Sequence, residues 1–204
     1  MAYTAPRTWT NGEVIDASIM NTHVRDNLIY LKSQVAAHIF LSGASGVPST
    51  TSGCTPPAKI NFASNGQDLM LPAFSETAKQ YIQWTLPYLP DDYGGGTMTA
   101  KIIWTASTAS ANSVVWGVAA RAYADGDAID GAWGTAQEVT DAFAPPSTNW
   151  AARVTSATAA ITIANSPAAG KVCQFRAYRD GAAGADTYGL PSYLIGVGLT
   201  YTRA

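Results

Sequence analysis

Hydrophobic and polar positions follow two different periods along this chain. In its first part, Asn21, Val24, Leu28, Leu31, Val35 and His38 recur at spacings of three and four and form one stripe on a helix. Asp16 or Ser18 can cap that helix by accepting from the free N–H groups of its first turn. No Pro or Gly stands between Glu13 and Gly43 to break it. The pattern predicts a helix from about Ala17 to about Ile39. Its stripe is an a/d seam of about three heptads with Asn and His among the core positions, which makes a weak coiled coil. Such a seam packs either on partner helices or on the chain's own domain.

Beyond residue 58 the period changes to two. Alternating apolar positions mark strands at 59–63, 80–86, 97–107, 113–124, 136–143, 152–164, 171–180 and 193–202. In the third, Met98, Ala100, Ile102 and Trp104 share a face; in the fourth, Val114, Trp116, Val118 and Ala120 do. The breaks between them carry Pro, Gly, Asp and Asn, the residues that turns require. About eight short half-buried strands predict a mainly β protein, an antiparallel β-sandwich of jelly-roll type following an N-terminal α-helix. Between the two patterns, LSGASGVPSTTSGCTPPA at 41–58 is rich in Ser, Gly, Thr and Pro and reads as a linker or ordered strap. The expected organisation is an attachment segment at 1–41, a linker at 42–58 and a sandwich at 59–204.

The run Trp9, Gly12, Glu13, Val14, then Asn21, Thr22, His23, Val24, Arg25, Asp26, Asn27, Leu28 resembles the N-terminal segment of tailed-bacteriophage virion proteins described as head-fibre, decoration or minor tail proteins. The family pattern is approximately W-x-x-G-E-V followed by N-T-H-x-R-D-N-L, and it covers about the first thirty-five residues. The resemblance implies an attachment and trimerisation device, hence a homotrimer, with capsid or tail proteins as partners and the virion as its location after synthesis in a host cytoplasm. Together with the seam, it makes Trp9, Asn21, Val24, Arg25, Asp26, Leu28, Leu31 and Val35 the candidate docking and oligomerisation residues. Trp9 is an apolar anchor near a chain end, and Arg25 and Asp26 lie off the seam, on a face that is either a docking surface or simply solvated. The stretch from Gln80 to Tyr201, with Arg179-Asp180, Asp186-Thr187 and the closing LIGVGLTY, also resembles the sandwich that accompanies this segment.

Composition narrows the partners. The chain has 204 residues, 47% of them apolar, enough for one sizeable core and an appendage. Only 13% are charged, against roughly 25% in ordinary globular proteins, so Ser, Thr, Asn, Gly and Ala must cover much of the surface. A net charge of −2 without a basic cluster argues against nucleic acid and anionic membrane as partners. The first residues lack the basic start and apolar run of a signal peptide, and no stretch approaches the roughly 18 apolar residues of a membrane span. Cys54 and Cys173, far apart in sequence, make neither a disulfide framework nor a zinc spacing.

Catalysis finds little support. Gly43 and Ser45 begin a nucleophile-elbow pattern that Val47 ends. The two histidines, His23 and His38, both belong to the expected helix, away from any strand-borne serine; three copies of His38 meeting on a threefold axis are the one metal site the seam offers. Asp125, Asp127 and Asp130 are spaced much as in a calcium loop, but Ala136 stands at the twelfth position and an Asp-Gly hairpin turn explains them as well. Glu13, Glu76 and Glu138 form no recognisable acid pair. No cofactor is expected. Among the tryptophans, Trp84, Trp104 and Trp116 fall on apolar faces and belong to a core. Trp133 and Trp150 sit beside turns and are the candidate contacts for a host-surface glycan. The expected function is therefore binding: a capsid decoration or short head fibre, with a tail-fibre receptor- or carbohydrate-binding module as the alternative.

Overall fold

A computed structural model describes residues 3–62, 64–143 and 148–204. The alternating segments form strands β1 Ala37–Ser42, β2 Val47–Pro48, β3 Thr55–Phe62, β4 Gln67–Phe74, β5 Lys79–Leu86 and β6 Tyr93–Ala106. They continue as β7 Ser113–Tyr123, β8 Gln137–Ala142, β9 Arg153–Val154, β10 Ile163–Ala164, β11 Val172–Asp180 and β12 Ser192–Arg203. One sheet runs β3-β4-β12-β6-β9, with β1 also on β12; the other runs β10-β7-β11-β5-β2, with β8 also on β7. All of these pairs are antiparallel except β10 on β7. Within them, β4-β12-β6-β9 faces β5-β11-β7-β8, so the chain crosses from sheet to sheet in jelly-roll order.

The alternation read from the sequence is the one that is buried. Met98, Ala100, Ile102 and Trp104 of β6 and Val114, Trp116, Val118 and Ala120 of β7 all face the core. Trp104 stands among Trp116, Phe143 and Tyr188, with ring centroids 6.1, 5.3 and 6.4 Å away, and its indole N–H donates to Asp141 at 2.8 Å. Trp84 is buried as well and donates to the Ser42 carbonyl at 2.8 Å.

A buried ion pair crosses the end of the sandwich. Arg179 and Asp186 are both fully enclosed, and the guanidinium meets the carboxylate through two N–H groups at 2.9 and 2.7 Å. The remaining guanidinium donors reach the carbonyls of Tyr188 and Leu190 and the Ser192 hydroxyl, while Asp186 also accepts from the Val115 N–H at 3.0 Å. Thr187 accepts from the Ser113 N–H at 3.0 Å. The loop before β12 is thus tied to β11 and β7 by a satisfied polar network.

Two expectations are corrected, and one open choice is decided. The helix ends at Gln34, not near Ile39: Val35 is extended, and His38 lies in β1, where its Nδ1 is 3.0 Å from the Thr200 hydroxyl. Ala37 and Leu41 are buried in the sandwich, so core burial on β12 overrides a helix-permissive sequence. With His38 in a sheet, the threefold histidine site falls away. Of the two readings of 42–58, linker or ordered strap, the structure has the strap, in which a 3-10 turn at Gly43–Ser45, β2 and the start of β3 join the two sheets. Finally, 152–164 is not one strand. Thr155 and Thr158 follow the edge of β6 by exchanging both backbone and hydroxyl hydrogen bonds with Ile102 and Ala100. Ala63, the last residue of the strand expected at 59–63, lies outside the described residues.

Candidate functional site

The N-terminal arm is built from a turn and an interrupted helix. Arg7 pairs with Glu13, and its guanidinium sits 5.0 Å over the ring of Trp9. Glu13 turns back to accept from the N–H and hydroxyl of Thr10, across a tight turn in which Gly12 takes φ +81°. That conformation favours glycine, which gives the Trp9, Gly12, Glu13 spacing a physical reason. Asp16 caps α1 (Ala17–Met20) by accepting from the Ile19 N–H at 2.9 Å. A π turn at Asn21–Arg25 then separates α1 from α2 (Asp26–Gln34), so the NTHVR residues are themselves the irregular turn.

Among the described residues of this helical stretch, Asn27 is the one that is buried. It clamps the chain end by accepting from the Thr4 N–H at 3.0 Å and donating to the Thr4 carbonyl at 2.8 Å. The aliphatic positions of the stripe remain open: Val24, Leu28 and Leu31 are 37%, 61% and 52% exposed. With Tyr3, Pro6 and His23 they line a groove of about 240 Å³. Asn21 is exposed at the start of the π turn, and Val35 is exposed beyond the helix end, outside the groove. Arg25 and Asp26 pair with each other at 2.8 Å on the surface.

Trp133 and Trp150 belong to opposite sheets and do not form one platform. Trp150 is half-buried with φ +62°, a left-handed backbone that a bulky residue adopts only where its surroundings impose it. Its N–H donates to the Ala106 carbonyl at 2.8 Å, and its ring packs on Phe62 and Tyr193 at centroid distances of 5.4 and 5.0 Å. Phe62, Gln67, Asp68, Leu69 and Trp150 line an open cleft of about 440 Å³. Lys59 at 2.6 Å and Asn61 at 2.7 Å hold the Asp68 carboxyl below the usual carboxylate range. An aromatic floor beside an amide and a carboxylate can stack a pyranose face and hydrogen-bond its hydroxyls.

Trp133 instead covers the outer face of the β5-β11-β7 sheet. The Arg176 guanidinium carbon lies 4.6 Å from the centroid of its ring and 4.6 Å from that of Tyr81. Next to it Tyr178 fills the space over Gly117, where an added Cβ would fall 2.2 Å from the phenol ring, and donates to Glu138 at 2.7 Å. Burial, together with Glu138, pushes the Tyr178 phenol up. Lys79 stacks 4.1 Å over the same ring and pairs with Asp180 and Glu138 at 2.8 and 3.3 Å.

The aspartate-rich loop is a turn. Asp127 accepts from the Ala124 N–H and the Asn165 amide, both at 2.6 Å, which holds its carboxyl below the usual range. It closes one side of a hollow of about 520 Å³ with Tyr123, Asp125 and Lys171. Among the described residues, no three His, Cys, Asp or Glu side chains converge as a metal site. Cys54 and Cys173 are free thiols, each pushed up to about 12 by burial.

Sequence reasoning missed Asn27 as a clamp, Phe62 and Tyr193 as partners of Trp150, and Arg176 as the partner of Trp133. Arg176 carried no readable signal, since with Gln174 it occupies the outward, polar side of the β11 alternation.

No family model and no curated protein matches this sequence. Among solved structures, the chain is similar to the CBM36-1 domain of a multidomain xylanase from the hindgut metagenome of Trinervitermes trinervoides, at 8% identity and TM-score 0.43 over 80% of this chain and 96% of that one. It is similar to a carbohydrate-binding module CBM36 in complex with calcium and xylotriose, at 12% identity and TM-score 0.41 over 80% and 98%. The CBM35 from Cellvibrio japonicus Abf62 matches at 8% identity and TM-score 0.43 over 82% and 99%.

Proposed function

We propose that this chain is a non-catalytic binding protein of the tailed-bacteriophage virion, in which an N-terminal arm docks on the capsid or tail and the jelly roll projects outward. Three copies associate through the arm, so that weak individual contacts act together at high effective concentration. The observation that carries this reading is the arm itself: its turn and helix give the virion-type motif a defined shape, yet Val24, Leu28 and Leu31 stay open to solvent. An amphipathic helix of this length gains most of its stability by burying such a stripe. Antibody labelling of purified particles of the phage that encodes the chain tests the reading by electron microscopy. Label at regular positions on head or tail is expected; particles free of label would refute it.

A second reading is a carbohydrate-binding module at a tail tip or free of a virion, favoured by the cleft of Phe62, Leu69 and Trp150 with its strained tryptophan. A glycan array probed with the full chain and with Trp150→Ala tests it. Binding that disappears in the variant supports a sugar site there, and binding to no glycan on the array rules it out.

A further inference from the structure

Among the described residues, two arginines on the outer face of the β5-β11-β7 sheet, Arg121 and Arg176, have no ion pair, and of the two only Arg176 has no hydrogen bond either. Lys79 is paired with Asp180 and Glu138, and Arg121 donates to the Ala132 carbonyl at 2.8 Å. Arg176 has no hydrogen bond or ion pair among the described residues, and its Nε is buried without an acceptor. Its guanidinium carbon lies 4.6 Å from the ring centroids of both Tyr81 and Trp133, so the rings restrict the group while its Nη donors have no acceptor among the described residues. Oriented guanidinium donors without a partner match the forked geometry of a carboxylate.

The surroundings supply the rest of a sugar site. Gln83 is the cross-strand partner of Arg176, and Gln174 lies two residues away on the same face of β11. Together with Thr85, Ser49 and Thr50 they line a cleft of about 290 Å³ along the sheet edge. Gln83 gives one amide proton to Ser49 at 2.6 Å and keeps its second for a ligand. Amides and hydroxyls at this density answer sugar hydroxyls, while the flanking rings offer a stacking face.

We propose that this sheet face binds a carboxylate-bearing saccharide of the uronic-acid class, with the carboxylate on Arg176 and the sugar ring lying toward Gln83 and Gln174. The site is distinct from the Trp150 cleft and rests on the glycan reading only for its class of ligand.

Titration of the full chain with a galacturonate oligomer and with its neutral galactose counterpart, followed by tryptophan fluorescence, tests it. The acidic oligomer is expected to bind at least tenfold tighter than the neutral one and to weaken with added salt. Arg176→Gln is expected to weaken it about 10- to 100-fold, the range of a charged hydrogen bond. Arg176→Lys, which keeps the charge but loses the fork, is expected to weaken it at least fivefold. Equal binding of both oligomers, no binding of the acidic one, or full affinity in Arg176→Lys overturns the proposal. Binding lost in Trp150→Ala but kept in Arg176→Gln also overturns it, while leaving the Trp150 cleft as the sugar site.

Discussion

Replacing Asp186 with Ala should be among the most damaging single changes in the chain. The side chains of Asp186 and Arg179 are both 0% exposed, and among the described residues the carboxylate is the only anion set against that guanidinium. Its removal leaves Arg179 with the carbonyls of Phe74, Tyr188 and Leu190 and the Ser192 hydroxyl, all neutral, and strips the Val115 N–H of its acceptor. Breaking a buried pair in this way costs about 3–5 kcal/mol, because a charge stays buried without compensation. For a domain of this size each kcal/mol moves Tm by roughly 2–4 °C, so a fall of about 6–20 °C is expected by calorimetry or circular dichroism. The double change Arg179→Met, Asp186→Leu separates the charge from the network: it removes the buried charge but abandons the carbonyls that Arg179 serves. It should recover part, and not all, of the loss. A fall under about 2 °C in Asp186→Ala would show that the pair is solvated or rearranged and that the loop before β12 is held by something else.

Gly117→Ala should cost about 1–3 kcal/mol, or a Tm fall of about 2–12 °C, because the new methyl occupies the place of the Tyr178 ring; an unchanged Tm would mean that Tyr178 is not seated there. Cys54 and Cys173 should resist a thiol reagent such as Ellman's at pH 8 and react once denaturant is added, since burial keeps both thiols protonated; rapid native labelling would contradict their enclosure. Asp127 has its pKa depressed in the folded chain by Ala124 and Asn165, so its contribution is present above the unfolded value near 3.8 and is lost as pH falls through the folded value. Asp127→Ala should therefore melt below wild type at pH 7, with the gap closing in strong acid; a gap that is the same at pH 7 and pH 2 would refute this.

The sandwich was legible because its central strands bury one face and expose the other. The apolar rows of β6 and β7 point inward as their alternation requires, and Trp84, Trp104 and Trp116 lie in the core where that alternation put them. Two strands, β1 and β4, were not legible. β4 contains Pro72, which weakens a strand reading, yet β3 and β4 pair with a register shift between Thr55 and Ala58 that accommodates it. β1 reads as helix because nothing in AAHIF forbids one; only its pairing with β12 decides the matter. The candidate site was partly legible. The stripe of Val24, Leu28 and Leu31 survives as one groove, but Val35 and His38 leave it where the helix stops. Trp133 and Trp150 were recognised by their turn context, whereas their partners Arg176, Phe62 and Tyr193 come from strands distant in sequence.

The claim on which the functional account rests is that the arm joins copies of this chain. Light scattering after size exclusion, on the full chain and on a full-length variant with Val24, Leu28 and Leu31 all changed to Ser, measures it directly. A trimeric mass for the full chain that falls to the monomer's in the variant is the predicted result. A monomeric full chain, or a trimer indifferent to the three substitutions, would contradict the assembly proposed for the arm.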